Sequence, residues 1–336
     1  MSAASTTTFA IHVRLDGPIA DGVAIARRAE EAGVDSIQVI EGTRDAFVPL
    51  AAMAVATERI RLGTYVANAY MRTPQAAATA ALGLDDLSGG RFTFGVGAGN
   101  PHLNEWLLGV DSTRPRAKTR DYLTILRAFL QGEAPDGVEV GGPAHHMQSR
   151  FVPPPGRRVP IVLAAAGPRM IELAAAASDG VGLGLLISAD HLQYEIKPLA
   201  LAAAEAAGRD PAAVQFPMAA LVSIDDDEER ARTMARRAIV GLFHPVPHPY
   251  YDHLLRVQGH ADVADAAAEL APRKQWAAAT AAVSDALLDE LTITGTPAQC
   301  AARLRAYDGV ASEVICLDLG RGGLDALLAV LADARS

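Results

Sequence analysis

Short apolar runs alternate with longer stretches of helical periodicity along nearly the whole chain, and this alternation limits the fold more than any single motif. The runs are 9–15 (FAIHVRL), 35–40 (DSIQVI), 60–66 (IRLGTYV), 91–97 (RFTFGVG), 160–166 (PIVLAAA), 180–186 (GVGLGLL), 214–224 and 313–319 (EVICLDL). Most are apolar on both sides of the alternation, as strands buried between helices should be. The intervening segments carry helix start signals. Thr296-Pro297 supplies a cap followed by proline in the first turn. Residues 225–229 (DDDEE) put acids at the positive end of another helix, with arginines following. That acidic run reads as capping and a solvated face, not as a metal site. Eight strand–helix units in one direction predict a (β/α)8 TIM barrel, an α/β fold.

A chain of 336 residues leaves room for insertions in such a barrel. Residues 134–159 predict a hairpin before the fifth strand. Residues 243–290, opening FHPVPHPYYDH, predict a helical lid after the seventh, with helices at 251–258, 261–271 and 276–290. No composition shift divides the chain, so residues 1–336 are expected to form one domain.

Charge and composition exclude several classes of partner. A net charge of −9 argues against nucleic acid. Two cysteines, Cys300 and Cys316, are too few for a disulfide framework or a zinc site. No run reaches the roughly 18 apolar residues of a membrane span. The segment MSAASTTTFAIHV lacks the basic and apolar regions of a signal peptide. The expectation is a cytoplasmic protein acting on a small-molecule substrate.

In a barrel the site lies at the C-terminal ends of the strands. That rule selects His12, Arg14, Glu41, Tyr65, Asn68, Asn100, Asn104, Glu105, Gly167, Arg169, Leu186-Ser188 and Asp318. It also gives a place to LSGGRFTFGVGAGNPHLNE (87–105), whose glycines follow a strand. The stretch is no Walker loop, since no Lys-Ser/Thr follows, and Asn100 breaks G-x-G-x-x-G. Bare backbone at a strand mouth suits the close approach of a flat ligand. His12 is as compatible with a satisfied core position as with catalysis. His145 and His146 are neighbours on a predicted strand and point to opposite faces, so they cannot chelate together. His244, His248 and His253 have no carboxylate at helical spacing, so no metal is expected and a role in the lid fits them better.

Three stretches, ERIRLGTYVANAYMRTPQAAATAALGLDDLSGGRFTFGVGAGNPHLNE, VPIVLAAAGPRMIELAAAASDGVGLGLL and ITGTPAQCAARLRAYDGVASEVICLDL, resemble the luciferase-like flavin and deazaflavin oxidoreductases in family order. PIVLAAAGPRM and the GAGNPHLNE corner are most similar to the coenzyme F420-dependent branch. Methylenetetrahydromethanopterin reductase and F420-dependent glucose-6-phosphate dehydrogenase are its better-known members.

The resemblance implies coenzyme contacts from Glu41 at the end of the second strand and a non-prolyl cis peptide at Tyr65–Val66 backing the ring. It implies a polar contact from Asn68, backbone contacts from Ala98 and Gly99, and a side-chain contact from Asn104. A phosphate-holding turn is implied at Ala166, Gly167, Arg169 and Met170, where helix amides and a guanidinium suit an anion. The implied reaction is hydride transfer between the deazaflavin C5 and an organic substrate under the lid. The sugar-phosphate enzymes have a histidine and a glutamate where this chain has Gly42 and Asn100. Neither residue exchanges protons near neutral pH, which argues against glucose-6-phosphate as substrate. His12 and His248 are then the candidates for moving a proton. The alternatives are an FMN-dependent monooxygenase and a non-catalytic flavin-binding member. A homodimer is expected, since relatives associate and alanine-rich helix faces would suit it.

Overall fold

A computed structural model describes residues 7–42, 44–106, 108–131, 139–148, 157–244, 246–319 and 323–335. Eight parallel strands carry the fold: β1 (Thr8–Val13), β2 (Ser36–Val39), β3 (Arg61–Thr64), β4 (Phe92–Gly97), β5 (Ile161–Ala164), β6 (Gly180–Gly182), β7 (Pro217–Ile224) and β8 (Glu313–Asp318). They pair in sequence order from β1 to β6, while β8 pairs with both β7 and β1. The remaining seam, β6 to β7, is closed by backbone bonds: Val181 N–H to Gln215 O at 2.8 Å and Leu183 N–H to Pro217 O at 2.9 Å. The strands therefore form a closed barrel, as the alternation predicts.

Burial explains why the strands read as continuous apolar runs. All eight residues of β7 are buried, as are all four of β2. The helices turn their buried positions towards this barrel. Helix Pro115–Gln131, for example, buries Tyr122, Leu123, Leu126, Phe129 and Leu130 while Arg116 and Arg120 face outward.

Both insertions form, with differences in detail. A two-stranded antiparallel hairpin pairs Glu139–Gly141 with His146–Gln148; the rest of the expected hairpin segment, 134–138 and 149–156, lies outside the described residues. His145 lies in the turn of this hairpin, not on a strand, and its ring meets Tyr122 edge-on at 5.7 Å. The lid comprises helices Pro249–Val257, Ala261–Leu270, Trp276–Ala282 and Asp285–Leu291. The single helix expected over 276–290 is thus two, because Ser284 caps a fresh start with its hydroxyl on the Leu287 amide. A short strand, Ile293–Gly295, follows the lid and pairs with the end of β7.

The strand ends differ most at β3. Leu62 and Gly63 pair with Phe92 and Thr93, but Ala67 and Asn68 pair with Val96 and Gly97. Three residues (64–66) therefore face two (94–95), which is a one-residue bulge. Its peptide Tyr65–Val66 is cis, at the position the resemblance implies. Gly95 makes room for it: a Cβ there would lie 1.9 Å from the Thr64 carbonyl oxygen. Backbone cannot retreat as a flexible side chain can. Gly95→Ala is therefore expected to lower unfolding stability by about 1–3 kcal/mol or more, the usual range for overpacking, measurable as a drop in the urea midpoint against wild type.

Candidate functional site

The bulge after β3 is fastened from three sides. His12, on β1, places Nε2 3.2 Å from the Tyr65 carbonyl oxygen. A carbonyl only accepts, so Nε2 carries the hydrogen and Nδ1 is a bare acceptor. Nδ1 is buried and has no partner among the described residues. The Tyr65 hydroxyl reaches across the barrel to Leu183 O at 2.7 Å, near Pro217 O at 3.0 Å. On the outer side, Glu41 N–H donates to Val66 O at 3.3 Å and Glu41 Oε2 accepts from Asn68 N–H at 3.0 Å.

The Glu41 side chain is fully buried and its other oxygen is ion-paired with Arg72, which also pairs with Asp45 and lies over the Phe47 ring at 4.7 Å. Glu41 thus spends one carboxylate oxygen on the backbone just past the bulge and the other on Arg72.

The glycine corner is built on the same principle. Asn68 Nδ2 donates to Asn104 Oδ1 at 2.8 Å, and Asn104 Nδ2 donates to Ala98 O at 2.8 Å. Asn68 Oδ1 accepts from Tyr70 N–H at 3.0 Å. Gly99 has φ +63°, and a Cβ on it would sit 2.7 Å from Asn68 Nδ2. Asn104 is completely buried, so its amide shapes the corner from beneath. Asn100, where the sugar-phosphate enzymes carry glutamate, uses its Oδ1 to cap the next turn at His102 N–H, 2.9 Å away.

Above this corner lies a cavity of about 210 Å³. Its floor is Val66 of the bulge, Gly97, Ala98 and Gly99 after β4, Ala164 to Ala166 with Met170 after β5, and Gly184 after β6. Its roof is His248, Tyr250, Tyr251 and Leu254 from the first lid helix.

His248 caps that helix: its Nδ1 accepts from Tyr250 N–H at 3.3 Å, which leaves the hydrogen on Nε2. Burial pushes its pKa down to about 4, so the ring is neutral at pH 7. Tyr250 and Tyr251 flank it with ring centroids 5.1 and 4.6 Å away. Gln258, ending the helix, pins the roof to the rim. Its Nε2 donates to Leu186 O at 2.8 Å and its Oε1 accepts from Ser188 N–H at 2.9 Å. Leu186 is held there at φ +64°, where leucine is rare.

At the cavity's edge, helix Pro168–Ala177 begins at Gly167 without a side-chain cap. Pro168 has no N–H, the Met170 and Ile171 amides donate to Gly167 O at 3.0 Å each, and the amides of Gly167 and Arg169 are the ones open to a ligand. Arg169 beside them is exposed and forms no ion pair or hydrogen bond among the described residues.

The structure thus gathers Val66, Ala98, Gly99, Ala166, Met170 and His248 on one cavity, with Gly167 and Arg169 at its edge. Glu41, Tyr65, Asn68, Asn104 and His12 lie behind its floor. His244 and His253 are exposed, and among the described residues no group of three or more His, Cys, Asp or Glu is placed to hold a metal ion. No helix among them is long and apolar enough to cross a membrane. Sequence reasoning missed Tyr250, Tyr251 and Leu254, although they stand beside the flagged His248, and it missed Gln258 altogether.

Burial also pushes His12 down from 6.5 to about 4. A histidine whose folded pKa lies below its unfolded value adds stability above the unfolded value and loses it as pH falls through the folded one. The difference corresponds to about 3 kcal/mol. Unfolding stability should therefore fall between pH 6.5 and 4, and His12→Gln should flatten that slope in urea titrations across the range. An unchanged slope would remove His12 as its source.

Residues 2–312 match the family model for luciferase-like monooxygenases. A 5,10-methylenetetrahydromethanopterin reductase of Methanolobus tindarius is 31% identical over 308 residues, 88% of this chain and 89% of that one. Among solved structures, the coenzyme F420-dependent tetrahydromethanopterin reductase of Methanopyrus kandleri superposes with a TM-score of 0.82 at 20% identity, covering 98% of each chain. An F420-dependent secondary alcohol dehydrogenase in complex with an F420-acetone adduct gives a TM-score of 0.79 at 19% identity, covering 98% of this chain and 99% of that one. With the barrel, the bulge and the glycine corner all in place, the chain belongs to the luciferase-like monooxygenase family.

Proposed function

We propose that the protein is a coenzyme F420-dependent oxidoreductase that moves a hydride between the deazaflavin and a small organic substrate. One observation carries this reading: a strip of bare backbone, Gly97 to Gly99, runs from the braced bulge towards an uncapped helix end with a free guanidinium. The strip fits a flat ring at one end and a phosphate at the other. The names of the similar solved structures, the tetrahydromethanopterin reductase and the secondary alcohol dehydrogenase, carry the same coenzyme and support it here.

The bound coenzyme would supply a carbon that gives or takes a hydride. This chain's residues then have distinct tasks. Val66 and the glycine corner fix the ring's face, which is most of what hydride transfer asks of a protein. The Arg169 guanidinium and the backbone N–H groups of Gly167 and Arg169 hold the phosphate. The lid excludes water above. Where a proton must accompany the hydride, His248 Nε2–H lies on the substrate side, while His12 has Nε2 committed to Tyr65 and only Nδ1 free. Asn100 is occupied as a cap, which leaves no acid–base pair of the sugar-phosphate type.

Titration of the protein with F420 and, in parallel, FMN, followed by fluorescence, tests the reading. Micromolar F420 binding is expected, weakened about 10- to 100-fold by Arg169→Ala, the range for a charged hydrogen bond. Tight FMN binding without response to F420 would move the protein to the monooxygenase branch. Tight F420 binding without turnover of any substrate would favour a non-catalytic member.

We also propose a homodimer through helix Phe47–Ala56. The helix carries no charged residue and exposes Val48 at 57% and Val55 at 67%. An amphipathic surface helix would turn a polar face outward there. Light scattering should give twice the chain mass for wild type and a monomer for Val48→Glu/Val55→Glu.

A further inference from the structure

Resting on the coenzyme reading above, we infer that the roof of this cavity selects a neutral, mainly apolar substrate bearing one hydrogen-bond-accepting oxygen, held by His248 Nε2–H. Among the described residues, no charged side chain lines the cavity on floor or roof. Charges on the loops after the second, third and fourth strands are matched: Glu41 and Asp45 by Arg72, and Asp111 by Lys118 at 3.1 Å. Arg169 stays at the outer edge, among the phosphate-binding amides.

A carboxylate or phosphate on the substrate would enter between Tyr250, Tyr251 and Leu254 without a counter-charge. Desolvating it there outweighs what the apolar walls return. The roof's remaining feature is a single directed donor. Because His248 Nδ1 is fixed by the Tyr250 amide, Nε2–H is the atom left to bond a ligand. A wholly apolar ligand would leave that donor unpaired, so an accepting oxygen completes the site. The two tyrosine rings and Met170 favour a cyclic or flat carbon skeleton over a flexible polar one.

Cyclohexanone and 4-oxocyclohexanecarboxylate share a skeleton and differ by one charge, so they are the probes. Ligand-observed NMR at pH 7.5 would compare their binding to the protein with and without saturating F420. The carboxylate should bind at least about tenfold more weakly than the ketone. His248→Leu should weaken the ketone about five- to tenfold, while His248→Gln, which keeps a donor, should hold it. Tyr250→Lys, at a partly exposed position, should restore carboxylate binding by adding a cation to the roof. Equal binding of the two probes, or a preference that Tyr250→Lys leaves untouched, overturns the inference. A protein that keeps the preference but never binds F420 refutes the coenzyme reading instead, so the two failures are separable.

Discussion

The hydrogen bond from His12 to the Tyr65 carbonyl ties the first barrel strand to the chain leaving the third, and the site is organised around that tie. The bulge displaces Val66 into the mouth, where it becomes floor. Everything in contact with it is arranged to keep it there: Glu41 and Arg72 outside, the Tyr65 hydroxyl inside, Gly95 beneath. Because a carbonyl can be held only by a donor, the histidine has one useful orientation, and its second nitrogen is left bare in the barrel interior. A group that reads as a catalytic candidate in sequence thus has a structural task that fixes its tautomer.

Charge is distributed around the mouth with the same economy. The acids behind the floor are neutralised by one arginine, His248 is kept neutral by burial, and among the described residues the cavity between them carries no charge. Arg169 stands at the outer edge, beside the helix start. A bipartite ligand, one end flat and the other anionic, is what such a gradient receives in a single orientation. Arg169 is exposed, so its hold on an anion weakens as salt rises.

The barrel was legible because strands buried on both faces leave continuous apolar runs, as in FAIHVRL and EVICLDL, between helices with readable caps. The position of Glu41 could be read too, at a strand end, but not its role, since Arg72 lies 31 residues further on. Nothing local announces that pair. The break at Ser284 has a local signal, a serine followed by aspartate, but the surrounding alanines favour helix throughout and mask it. Strand Ile293–Gly295 has its signal in the β-branched residues of LTITG (291–295). The roof was the least legible part. Its inward face depends on Gln258 meeting Leu186 across 72 residues, a tertiary fact that no periodicity carries.

That meeting has a mechanical consequence. Leu186 sits in a left-handed conformation that a leucine enters at a cost of about 1–3 kcal/mol, and the amide of Gln258 is what keeps it there. The two bonds of Gln258 thus fasten the roof to the strained turn of the rim, as a latch joins a door to its frame: neither side can be described without the other.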